Sequence, residues 1–122
     1  ATTEIYTLSL HDALPIFAMA LAQNTKILFL DEPTTYLDIR YQLDILRLVK
    51  KLNREYGITI VMVLHEINQA IHFSDEVIGL KDGKVLVQGD PKDVITTESI
   101  SELYDVHLNV ADIDGQKFVL TV

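Results

Sequence analysis

With 122 residues, the chain has the length of one small domain or of a piece of a larger one. Hydrophobic residues make up 48% and charged residues 23%, a globular balance that excludes a disordered segment. A net charge of −8 leaves no basic face for a nucleic-acid backbone, and the lack of cysteine excludes disulfides and thiolate metal sites. No apolar run approaches the ~20 residues of a membrane span.

In chain order, FAMALAQ (17–23) is a short apolar helix candidate that ends at Asn24-Thr25. Residues 27–30 (ILFL) form a continuous apolar run closing on Asp31, the pattern of a strand buried on both faces of a parallel sheet. Pro33 stops that ladder because it has no N–H to give. Asp38 can cap a helix over 39–56, with Leu43, Leu46, Val49 and Leu52 at helical spacing and Gly57 ending it. ITIVMVL (58–64) is a second apolar, β-branched strand, closing on His65, and 66–73 reads as a helix.

Residues 77–80 and 84–88 flank Asp82-Gly83, a strong hairpin signal. Short helices over 92–95 and 98–104 precede a hairpin of 108–111 with 117–122, turning over 112–115. Strands alternating with helices predict an α/β layer with a parallel sheet, followed by hairpins and short helices. Tyr41, Tyr56 and Phe73 fall on helix faces and are expected to pack. Asp93, Glu98, Glu102 and Asp105 read as a solvated acidic face, and His72 and His107 as surface or packing residues.

Asp31-Glu32 places two carboxylates at the carboxyl end of a buried strand, the edge where open α/β sheets bind ligands. Mg²⁺ is a natural counter-charge there, and a second carboxylate can align a water against a phosphoryl group. The same pattern also fits a strand that ends in an ordinary acidic loop. His65 taken alone is as easily a satisfied polar residue between strand and helix as a functional one.

The stretch ILFLDEPTTYLD (27–38) resembles the Walker B and D-loop segment of the ABC-type ATPases. VMVLHEINQA (61–70) resembles the switch strand and histidine of the same family, and KDGKVLVQGDPKDVIT (81–96) the hairpin and small helix that follow. The three motifs stand in the family's order and cover most of residues 17–97. The YLD form of the D-loop and the wording HEINQA are most like the importer branch for ferric siderophores, haem and cobalamin.

The resemblance implies part of a P-loop NTPase domain that takes ATP and Mg²⁺. Asp31 would organise the metal, Glu32 would be the general base, and His65 would bond the γ-phosphate. Asp38 would lie in the D-loop at the interface with a second nucleotide-binding subunit. It further implies an integral membrane permease, a substrate-binding protein reached through it, and a peripheral position on the cytoplasmic face of a prokaryotic plasma membrane.

The family's glycine-rich phosphate loop, and the glutamine that contacts both metal and permease, have no counterpart among the 122 residues. The signature loop should run straight into FAMALAQ, but LSLHDALPI stands there, and Leu8-Ser9 imitate only its first two letters. Translated in one frame, a widely used short-read sequencing adapter reads ATTEIYTLSLHDALPI. Residues 1–16 are therefore expected to be a non-native segment and to contribute no strand or helix.

The expected organisation is 1–16 adapter-derived, 17–90 the C-terminal half of a nucleotide-binding domain, and 91–122 a small C-terminal extension. Without a phosphate-loop strand, the sheet edge beside Asp31 is expected to be uncovered. Two other readings remain: a soluble ABC ATPase of translation or DNA repair, and a truncated chain without activity.

Overall fold

A computed structural model describes the backbone of residues 3–7 and 10–121, and the side chains of residue 15 and of residues 17–121. The chain divides into two compact units, 1–65 and 66–122.

In the first unit, β1 (Thr3–Thr7), β2 (Ile27–Asp31) and β3 (Thr59–Val63) form a parallel sheet in that order, with helices α1 (Leu10–Ala22) and α2 (Ile39–Tyr56) between them in sequence. Registers run from Thr3↔Ile27 to Thr7↔Asp31 and from Ile27↔Thr59 to Asp31↔Val63. The ladder continues one residue past the strands, where Glu32 N–H donates to the Val63 carbonyl.

Helix α2 follows its sequence signals. Asp38 accepts from the Tyr41 N–H at the N-cap, and Gly57 closes the helix in the left-handed conformation, φ +68°, that glycine adopts without a Cβ clash. Ile45, Leu46, Val49 and Leu52 are buried. Ile45, Val49 and Leu52 pack with Phe17 and Ala20 of α1 and with Leu28, Leu30 and Ile58, while Ile60 and Met62 of β3 lie against the same core.

That core occupies one face of the sheet. The other carries Ile27, Phe29, Val61 and Val63, of which all but the half-buried Phe29 are exposed. The expectation of strands buried on both faces is thus corrected to half-burial, because α1 and α2 supply apolar cover on one side alone.

Three further expectations change. Residues 3–7 form a strand and residues 10–16 the first turns of α1, with Pro15 inside the helix. The edge of β2 is therefore covered. Strand pairing runs through backbone groups and is indifferent to side-chain identity, so an extended TEIYT segment can fill an open edge whatever its origin. Tyr41 and Tyr56 are exposed rather than packed: they continue the Ile45–Val49–Leu52 stripe into the first and last turns of α2, at the ends of the buried stretch. Leu8-Ser9, the imitation of the signature loop, lie outside the described residues.

The second unit comprises α3 (Ile67–Phe73), the hairpin of β4 (Val77–Lys81) and β5 (Lys84–Gly89), α4 (Pro91–Val94), α5 (Thr97–Tyr104), and the hairpin of β6 (Asn109–Ile113) and β7 (Gln116–Leu120). Both hairpins turn on Asp-Gly with two successive positive φ angles, 51° and 75° at 82–83 and 52° and 79° at 114–115. These are type I′ turns, which match the strand twist. The second turn is two residues, shorter than the four read from sequence, because Ile113↔Gln116 still pair.

Ile71, Ile95, Ile100 and Val119 form the core of this unit. His72 packs edge-on to Phe118, with Nε2 3.2 Å from the Lys117 carbonyl, and His107 is exposed beside Asn109. Asp93, Glu98, Glu102 and Asp105 are all exposed, as expected of a solvated face.

Asn68 acts as a side-chain rung on β7. Its Nδ2 donates to the Val119 carbonyl at 3.1 Å and its Oδ1 accepts from the Val119 N–H at 2.8 Å. Truncation leaves a partly buried donor and acceptor unmet, so Asn68→Ala is expected to destabilise the unit by about 1–3 kcal/mol. Urea unfolding, with hydrogen exchange at the Val119 amide, checks it.

Lys81 Nζ donates to the Glu102 carbonyl and, at 2.6 Å, to Asp105 Oδ1 at the end of α5. The hydrogen bond to Asp105 raises the Lys81 pKa above its ordinary value. Folding thus favours the charged form; its contribution is complete below the unfolded-chain pKa and is lost as pH rises through the raised folded value. Melting curves between about pH 9 and 12 should fall more steeply for the wild type than for Lys81→Met.

Candidate functional site at the carboxyl edge of the parallel sheet

Parallel strands β2 and β3 end at the same level, so the residues that follow them meet at one edge. Asp31 is the last residue of β2, with an exposed side chain that forms no hydrogen bond or ion pair with another described residue. Glu32 follows in the left-handed region, φ +52°, a conformation that costs a non-glycine residue energy and is held by the bond to Val63.

His65 stands two residues beyond β3. Its Nε2 donates to Glu32 Oε1 at 2.5 Å. The side chain of His65 is 72% exposed and that of Glu32 38%, so the pair faces solvent. Two residues 33 apart in sequence are joined because their strands are neighbours in register.

Pro33 and Thr34, both buried, anchor the turn after Glu32, and the Thr35 N–H closes it onto the Glu32 carbonyl at 3.3 Å. Thr35 Oγ1 donates to Glu32 Oε2 at 3.5 Å. Tyr36 follows with φ +66° and a fully exposed ring. Asp38 then caps α2, which makes its carboxylate a helix-terminal acceptor on the exposed side of the turn. Gln42 Nε2 reaches back to the Leu37 carbonyl at 2.7 Å and holds the turn to the helix.

Of the four residues singled out from sequence, the structure joins Glu32 and His65 directly and places Asp31 in the chain beside them. Asp38 stands on the following turn and makes its bond to α2. Thr35 was missed, because its contact depends on the left-handed Glu32, which no sequence signal announces.

Asp31 and Glu32 are hard oxygen donors suited to a cation such as Mg²⁺, and the Asp31 carboxylate, without a partner among the described residues, could take that role. No cluster of three or more His, Asp or Glu side chains among the described residues could hold a metal. The fit is to an ion that keeps waters or takes substrate oxygens, the habit of Mg²⁺. Neither the loop after β2 (32–38) nor the residues after β3 (64–66) contain a glycine, so neither is a glycine-rich phosphate cradle. No helix among the described residues is long and apolar enough to cross a membrane.

No family model matches the chain. It is 47% identical over 95 residues to the ferric enterobactin transport ATP-binding protein FepC of Escherichia coli, a match over 78% of this chain and 35% of that protein. To the petrobactin import ATP-binding protein FpuC of Bacillus anthracis it is 48% identical over 93 residues, 76% of this chain and 34% of the relative. Among solved structures, a metal-chelate-type ABC transporter in an inward-facing conformation superposes with a TM-score of 0.76 at 26% identity, over 92% of this chain and 45% of that one. In sequence and fold the chain is similar to ATP-binding proteins of ABC transporters, and it spans about a third of the length of the relatives it matches.

Proposed function

We propose that the parent protein of this chain is the ATP-hydrolysing subunit of an importer for an iron-siderophore complex or a related metal chelate. The observation that carries the reading is the Glu32–His65 pair at the carboxyl edge of the sheet. A carboxylate and an imidazole within one hydrogen bond of each other can act together on one reacting centre and its attacking water. The named relatives, ATP-binding proteins of ferric enterobactin transport and of petrobactin import, support the choice of cargo.

In the proposed step, a water attacks the γ-phosphorus of ATP. The new O–P bond forms as the bond to the β–γ bridging oxygen breaks, and ADP leaves with that electron pair. Glu32 takes the proton from the water, and His65 would hydrogen-bond a γ-phosphate oxygen. Asp31 would hold Mg²⁺, which when bound neutralises charge on the phosphate oxygens. Asp38 would stand at the interface with a second nucleotide-binding subunit. The donors of the phosphate cradle would come from sequence outside this chain.

The parent would sit on the cytoplasmic face of the plasma membrane through a permease that receives cargo from a substrate-binding protein. Residues 1–16 would replace native sequence, which reading the junction in the source genome tests directly. The 122-residue chain, lacking the cradle, is expected to show no Mg²⁺-dependent ATP turnover that Glu32→Gln removes. Specific turnover by this chain would overturn the need for a cradle. Co-purification of the full-length parent with a permease supports the importer; association with ribosomes or DNA instead would point to a soluble ABC ATPase.

A further inference from the structure

We infer that Thr35 is a positioning residue for hydrolysis, acting through Glu32. The inference rests on the reading of Glu32 as general base. Glu32 keeps its N–H in the ladder through the Val63 carbonyl but turns into the left-handed region, so the strand pleat that sets the direction of Asp31 does not set that of its carboxylate. Two side chains supply the orientation. His65 Nε2 donates to Oε1 at 2.5 Å, and Thr35 Oγ1 approaches Oε2 at 3.5 Å from the other side.

The turn makes this approach possible. Buried Pro33 and Thr34 fix its floor, and the bond from Thr35 N–H to the Glu32 carbonyl brings residue 35 back over residue 32. One residue thus binds both the backbone and the side chain of Glu32. A carboxylate held at both oxygens has its plane set, and each oxygen keeps a further lone pair for a water. A base displaced by ~1 Å can lose as much as 100-fold in rate.

The test uses the full-length parent protein and compares Thr35→Val, which keeps the branched shape, with Thr35→Ser, which keeps the hydroxyl. Thr35→Val is expected to lower kcat about 10- to 100-fold with ATP affinity, measured with a fluorescent analogue, within about twofold of wild type. Thr35→Ser should retain at least about half of kcat. In a Glu32→Gln background, Thr35→Val should reduce the residual single-turnover rate no further, because no base remains to be positioned.

Wild-type kcat in Thr35→Val would overturn the inference, as would a loss of ATP affinity equal to the loss of kcat. If Thr35→Val and Glu32→Gln reduced the rate independently, Thr35 would act elsewhere than on Glu32. Full turnover in Glu32→Gln itself would remove the base reading and this inference with it. Loss in Glu32→Gln with none in Thr35→Val would remove the inference alone.

Discussion

Glu32→Gln in the full-length parent protein is expected to lower kcat about 100- to 10,000-fold, the range for loss of a general base. The amide is nearly isosteric, and its oxygen can still accept from His65 Nε2. What disappears is the capacity to take a proton from water. ATP affinity should stay within a few-fold, since Glu32 would meet the water rather than the nucleotide. Fold stability should also hold, because the left-handed backbone and its bond to Val63 do not involve the substituted atoms. Single-turnover hydrolysis, nucleotide binding and a melting curve on the same preparation separate these effects. Unchanged turnover would take the base role away from Glu32.

Leu28→Ala should destabilise the first unit by about 2–5 kcal/mol. Leu28 is fully buried at the centre of the three-stranded sheet, within the same core as the buried residues of α1 and α2. Val61, on neighbouring β3 but on the open face, offers the contrast. It is 43% exposed, and Val61→Thr should cost under about 1 kcal/mol in this chain. Urea unfolding of both variants, with hydrogen exchange at the β2 and β3 amides, reads the difference. Equal costs would show that both faces of the sheet are packed in solution.

Helix α2 was legible because its signals are local. The Asp38 cap, the apolar stripe and Gly57 all lie within twenty residues and agree with one another. Both Asp-Gly hairpins were legible for the same reason. Tyr41 and Tyr56 were misjudged because an aromatic on a helix says nothing about where the neighbouring layer ends. Strand β1 was misjudged because an open sheet edge accepts backbone, and sequence pattern reports only side chains. Thr35 stayed hidden because its contact needs a φ of +52° at Glu32, a value that chain geometry imposes on an otherwise unremarkable glutamate.

The order of the motifs, the residue types at Asp31, Glu32 and His65, and the resemblance they carry were legible in sequence alone. Those are properties of residue type and spacing, and they survive without knowing which surfaces meet. Only the tertiary structure decided that Glu32 and His65 bond to each other. It also decided that the sheet is packed on one face and that residues 3–7 occupy its edge. Each of these depends on parallel register and on which layers are present to bury a surface, and neither quantity is carried by any single stretch of chain.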